Sequence, residues 1–122
     1  MCEESIVYAL LKEIEASIVL IAEQTACVQS PDYFTSSQDG MFALGGVCMQ
    51  LIFIAEKVKS LDTKTNGTLL AKYPEIPWKD IIGLRNIIAH EYHRVDEEEI
   101  FAIIKNDLPH LLATIRQMQK DL

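Results

Sequence analysis

The stretch Arg85-Asn86-Ile87-Ile88-Ala89-His90-Glu91-Tyr92 gathers a guanidinium, a carboxamide, an imidazole and a phenol within about two helical turns. A guanidinium stabilises charge that develops on phosphoryl oxygens. An imidazole, with an ordinary pKa of ~6.5, takes up and releases protons near neutral pH. The Asn86 amide can orient that imidazole or bind a ribose, and the Tyr92 phenol offers a hydroxyl for modification. Together these groups suit phosphodiester cleavage. No convincing set of metal ligands accompanies them, so the natural nucleophile is a 2′-hydroxyl of the substrate, which confines the substrate to RNA.

Other uses of the same residues stand beside this one. An Arg/Asn/His/Tyr face also makes an ordinary polar interface. His90, Glu91 and His93 suggest a metal, yet the i,i+3 spacing of the two histidines comes without a third ligand. His110, next to Pro109, reads as structural.

The positions on a helical wheel sharpen the choice. With Arg85 at 0° and ~100° per residue, Ile81, Leu84, Ile87 and Ile88 form a core face. Arg85, Asn86, His90, Tyr92 and His93 occupy the opposite arc. Asn86 and His90 stand at i,i+4 and can touch, whereas Arg85 and His90 lie about 140° apart and do not meet on one straight helix. Ile82 and Ala89 fall inside the polar arc, where a solvated face would carry charge. A second surface packed on that arc accounts for both. A twofold dimer would also bring Arg85 of one chain towards His90 of the other, making the site composite.

Four long helical segments must position this cluster. Val7, Leu10, Leu11, Ile14, Ile18 and Ile21 recur at spacings of three and four, predicting a helix from near Glu3 into the Cys27 region. Pro31 then breaks it. A second helix starts around Gln38-Asp39-Gly40 with Asp39 as N-cap and continues past Val58. It is apolar around most of its circumference, as a central buried helix would be. Gly45-Gly46 implies close approach of another element, whose identity the sequence does not give. A connector over residues 62–77 leads to Pro77, suited to open the motif helix at its first turn. Asp96, followed by Glu97, Glu98 and Glu99, caps a fourth helix, which is interrupted or kinked near Pro109. No strand pattern competes, so the fold is an all-α, mostly antiparallel bundle of four to five helices in a single domain, 1–122.

Composition narrows the class. Of 122 residues, 49% are hydrophobic and 24% charged, with only five Gly and four Pro, too few for a small turn-dense β domain. The net charge of −7 argues against nucleic acid on average, but residues 57–94 carry seven bases against four acids. The only basic segment is therefore the one that holds the motif. The acidic N-terminus lacks the basic region of a signal peptide, and Met41–Ala55 falls short of a ~20-residue bilayer span, so a cytoplasmic protein with no membrane partner is expected. Cys2, Cys27 and Cys48 show no CxxC spacing, and Cys27 and Cys48 are expected to act as small core side chains.

The intact pattern Arg85-Asn86-x-x-x-His90-x-Tyr92 resembles the HepT-like ribonuclease toxins of the HEPN superfamily. The likeness extends to Leu51-Ile52-Phe53-Ile54-Ala55-Glu56-Lys57, similar to a second-helix signature that usually ends Gly-Glu-Ala, here with Ala55 for the glycine. Tyr73-Pro74-Glu75-Ile76-Pro77-Trp78 resembles the Tyr-Pro-x-x-Pro-Trp segment before the motif helix, and Val95-Asp96 and Leu108-Pro109 also fit. The resemblance implies a HEPN-like bundle that dimerises through the motif helix and cuts RNA with no metal or other cofactor. It implies Arg85 and His90 as catalytic and Asn86 as supporting. It further implies a type VII-like toxin–antitoxin pair, in which an MntA-like nucleotidyltransferase antitoxin transfers adenylate to Tyr92. Lys79, His93 and Arg94 are the expected further RNA contacts; His93-Arg94 departs from the small or aromatic residue common after the tyrosine. The rival expectation is a non-catalytic HEPN subunit that docks a minimal nucleotidyltransferase; a purely structural helical dimer is the third.

Overall fold

In the computed structural model, which describes residues 3–122 apart from the side chains of Glu3 and His93, the apolar stripe of the first segment becomes helix α1 (Glu3–Gln24). Its Val7, Leu10, Leu11, Ile14, Ile18 and Ile21 are all buried, as the three-and-four spacing requires. The helix ends at Gln24, where the buried Thr25 hydroxyl donates to the Ile21 carbonyl at 2.6 Å. Cys27 therefore lies beyond the helix and is exposed, contrary to its expected place in the core; Cys48 is buried, and Cys2 lies outside the described residues. Burial pushes the Cys48 thiol up to about 11.

Pro31–Phe34 forms a 3₁₀ turn that buries Phe34. Helix α2 (Gln38–Lys64) follows, and its N-cap is Ser37 rather than Asp39: the Ser37 hydroxyl accepts from Gly40 N–H at 3.0 Å. A side chain at position 40 would put its Cβ 1.8 Å from the Tyr33 carbonyl oxygen, so only glycine lets the 3₁₀ turn lie on the helix. Val47, Cys48, Leu51, Ile54, Ala55, Val58 and Leu61 face the core. One side of α2 stays open, contrary to a fully enclosed helix: Phe42 is 86% exposed, with Met41, Met49 and Phe53 exposed beside it. By length and composition α2 could also cross a bilayer, which the sequence had not suggested. One side of it packs against α1 and the motif helix, and 33% of its apolar window is buried.

The expected connector is shorter than its sequence implies. Helix α2 absorbs residues 62–64, Asn66 and Gly67 turn the chain at positive φ, and Thr68–Ala71 forms a single helical turn, α3, that buries Leu69 and Leu70. The Trp78 indole N–H donates to the Tyr73 carbonyl at 2.9 Å, and the Tyr73 hydroxyl donates to Asp121 at 2.6 Å. These bonds fix where the next helix begins. Helix α4 (Trp78–Glu91) carries the motif, with Pro77 as its N-cap rather than inside its first turn.

After a 3₁₀ turn over Tyr92–Arg94, Asp96 caps α5 (Glu97–Ala102) as expected, its carboxylate accepting from Glu98 N–H at 2.9 Å. Just before Pro109 the α-helix is interrupted, as expected, though the chain stays helical. A π turn over Ile103–Asp107 runs into α6 (Leu108–Asp121), with the Leu108 N–H bonded to the Ile103 carbonyl. Proline has no N–H for the Lys105 carbonyl, and the wider turn accommodates that loss without ending the helix. Leu108, Leu111, Ile115 and Met118 of α6 join the core, and α6 packs on α1. Glu15 clamps that contact, bonding Arg116 at 2.8 Å, Gln119 at 3.0 Å and Lys12 at 3.1 Å. The result is an all-α antiparallel bundle, with no strand among the described residues.

Candidate functional site

Helix α4 rests on α2 through Ile88, which is buried, and through the half-buried Ile81 and Leu84. Ile87 departs from the expected core face: it is 56% exposed. The true core stripe is therefore narrower, and the helix shows solvent a face that combines Arg85, Asn86, His90 and Ile87. Ile82, expected to need a second surface, already packs against the core, whereas Ala89 stays exposed.

The Arg85 guanidinium is held from two sides. Its Nε–H donates to Glu56 Oε1 of α2 at 2.9 Å, and its Nη1 donates to the Asn86 amide oxygen at 3.3 Å. Both side chains of the Arg85–Glu56 pair remain about half exposed, at 51% and 55%. His90, one turn further on, is exposed and makes no side-chain hydrogen bond among the described residues. Of the two uses read from the sequence, orienting the imidazole or binding a ribose, the first is not seen, since the Asn86 oxygen accepts from Arg85.

Tyr92 does not continue the α4 wheel. At Glu91 the backbone leaves helical geometry (φ −125°, ψ 28°), and Tyr92 opens the 3₁₀ turn. This carries the phenol back onto α2, where a Cβ added to Gly45 would lie 2.9 Å from the Tyr92 oxygen. The element whose approach Gly45 permits is the motif's own tyrosine. Gly46 has no neighbour near enough to matter and faces open space.

Along α2, Met49, Ile52, Phe53, Glu56 and Lys57 line a shallow groove of about 470 Å³. Phe42 and Phe53 of α2 and Ile87 of α4 are also exposed. Lys57 packs 4.8 Å from the Phe53 ring centre and pairs with Glu13 at 2.8 Å. Of the further expected contacts, Arg94 is exposed on the 3₁₀ turn, while the His93 side chain lies outside those described. Lys79 is exposed but sits in the first turn of α4, about 16 Å along the axis from His90. Among the described residues no three His, Cys, Asp or Glu side chains cluster as metal ligands. Glu56 is the residue that motif spacing alone does not reveal; its signal was its place in the Leu51–Lys57 stretch.

The family model described as ribonuclease HepT-like matches residues 14–118. A Methanocaldococcus jannaschii protein named "Gamma-glutamylcyclotransferase and putative RNase" is 31% identical over 92% of this chain and 47% of its own length. A Thermococcus cleftensis protein named "Probable ribonuclease HepT" is 27% identical over 90% of this chain and 93% of its own length. The chain thus spans about half of the first relative and nearly all of the second. No solved structure matches. With a match across most of its length, the chain belongs to the HepT-like ribonuclease family of the HEPN superfamily.

Proposed function

We propose that residues 1–122 form one HepT-like domain and that the protein is a cytoplasmic, metal-independent endoribonuclease and the toxin of a HepT/MntA-type pair. The observation that carries it is the intact Arg85-Asn86-x-x-x-His90-x-Tyr92 motif, with Arg85, Asn86 and His90 on the exposed face of α4 beside the exposed Ile87, and with Tyr92 on the turn that follows. In a twofold dimer joined through the exposed face of α4, the Arg85 guanidinium of one protomer and His90 of the partner subunit approach a common phosphate. Arg85 holds a non-bridging phosphoryl oxygen. His90 accepts the 2′-hydroxyl proton as the 2′-oxygen bonds to phosphorus, and a proton returns to the departing 5′-oxygen. The products are a 2′,3′-cyclic phosphate and a 5′-hydroxyl end. Asn86 steadies Arg85 through its 3.3 Å contact.

Tyr92 is the adenylate acceptor in this reading. An added phosphate places negative charge where substrate phosphate must sit, which blocks the site. Tyr92 as a residue is 45% exposed, which supports access by a transferase.

The test is incubation of the pure protein with total RNA, with and without His90→Ala. Cleavage with cyclic-phosphate ends that disappears in the variant, with an unchanged circular-dichroism spectrum, is the expected result. Undiminished cleavage by the variant refutes the catalytic assignment. Intact RNA together with tight binding of the nucleotidyltransferase points instead to a docking subunit.

A further inference from the structure

We propose that Glu56 is a positioning residue that sets the Arg85 guanidinium for phosphate, an inference that rests on the reading of Arg85 above. An arginine has five N–H donors in a fixed planar fork. Glu56 takes Nε at 2.9 Å and Asn86 takes Nη1 at 3.3 Å, while Nη2 has no partner among the described residues. A guanidinium held at those two points presents its remaining amino group in a defined direction. An unheld arginine must give up its side-chain freedom each time it meets a substrate.

The carboxylate comes from a different helix than the arginine, so it reports the α2–α4 packing directly to the site. Among the described residues Glu56 pairs with no other cation, and the adjacent Lys57 is committed to Glu13 at 2.8 Å and to the Phe53 ring. An exposed ion pair contributes little to stability. Its consequence lies in where it points the arginine.

Glu56 acts in two opposing ways. As an anion near the phosphate path it weakens ground-state binding of RNA, and as an anchor it favours the oriented arginine that the transition state requires. Glu56→Gln keeps the size and loses the charge. It should lower kcat about threefold to fivefold, the range set by one exposed charge-assisted bond. It should leave the affinity for a 2′-O-methyl oligoribonucleotide, which lacks the attacking hydroxyl, unchanged or about twofold tighter. A merely structural contact would lower activity and melting temperature together. A merely repulsive carboxylate would raise kcat/KM when removed.

The experiment compares the full chain with Glu56→Gln, Glu56→Asp and His90→Ala variants, measuring kcat, KM, Tm and arginine Nε–Hε resonances. The chain has three arginines, and Arg116, whose Nε bonds Glu15 at 2.8 Å, serves as an internal reference. The proposal expects the Arg85 signal to shift and broaden in Glu56→Gln while the Arg116 signal stays, kcat to fall without loss of affinity, and Glu56→Asp to recover part of the rate. An unmoved Arg85 signal or an unchanged kcat in Glu56→Gln overturns it, even if His90→Ala is inactive. Full cleavage by His90→Ala overturns the catalytic assignment of the Arg85–His90 pair, and this inference with it.

Discussion

The contact between Tyr92 and Gly45 lends itself to a double-mutant cycle. Gly45 lies inside α2, where alanine in place of glycine stabilises a helix by roughly 1 kcal/mol. The new Cβ would meet the Tyr92 oxygen at 2.9 Å, about 0.5 Å inside the 3.4 Å at which ordinary contact begins. Because the phenol is the end of a mobile side chain, it yields at a cost near the lower end for overpacking, about 1 kcal/mol. Gly45→Ala alone should therefore be nearly neutral. In a Tyr92→Phe background the next atom is Cζ at 3.9 Å, an unstrained distance, and the full helix gain of about 1 kcal/mol should return. The coupling of about 1 kcal/mol should show in urea denaturation, and as a Tm difference of roughly 4 °C in calorimetry. Equal effects of Gly45→Ala in both backgrounds would falsify the placement of the tyrosine on α2. The cycle cancels whatever else the hydroxyl bonds, so it isolates this one contact.

Three further outcomes follow from the structure. The Glu15 carboxyl is held at about 2 rather than 4.5, chiefly by Arg116, then Gln119 and Lys12; a depressed carboxylate stabilises the fold above its unfolded value and loses that contribution as pH falls from 4.5 to 2. Because its cationic partners are half exposed, Glu15→Gln should cost about 1–2 kcal/mol at pH 7 and flatten the stability profile across that acid range in denaturant titrations. Burial first, and then Asp121, raises the Tyr73 phenol to about 12, so Tyr73→Phe should remove a tyrosine step near pH 12 from an ultraviolet titration and cost about 1 kcal/mol; loss of a step near pH 10 instead would show that the phenol is not held as described. Phe42→Glu, at the most exposed of the large apolar side chains, should raise a dimer's dissociation constant about thirtyfold, from roughly 2 kcal/mol of lost burial, and sedimentation equilibrium would expose an error if association is unchanged.

The helices were readable because each buries one stripe, and the spacing of Leu11, Ile14, Ile18 and Ile21 permits only one geometry. The motif was readable because four polar groups of unlike chemistry sit at fixed offsets. Other features escaped for definite reasons. Ile87 fits the apolar period of α4, but the period says nothing about whether a neighbour exists to cover it. Ser37 and Asp39 are both good caps, and the choice fell to the hydroxyl that reaches the Gly40 N–H. Tyr92 was assigned a wheel angle that held only while the α-helix lasted, and the chain tightened at Glu91, one residue earlier. Glu56 and Arg85 are 29 positions apart, and no local pattern connects residues that meet only through the packing of two helices.

The π turn over Ile103–Asp107 works as a phase shifter. It inserts one residue into an otherwise continuous rod, so the apolar rows before and after it are out of step by about a quarter turn, ~100°. Excising one of those five residues would restore a regular helix yet swing Leu111, Ile115 and Met118 away from α1. Residue number there is as constrained as residue type, and relatives should tolerate substitution in that segment far better than a change in its length.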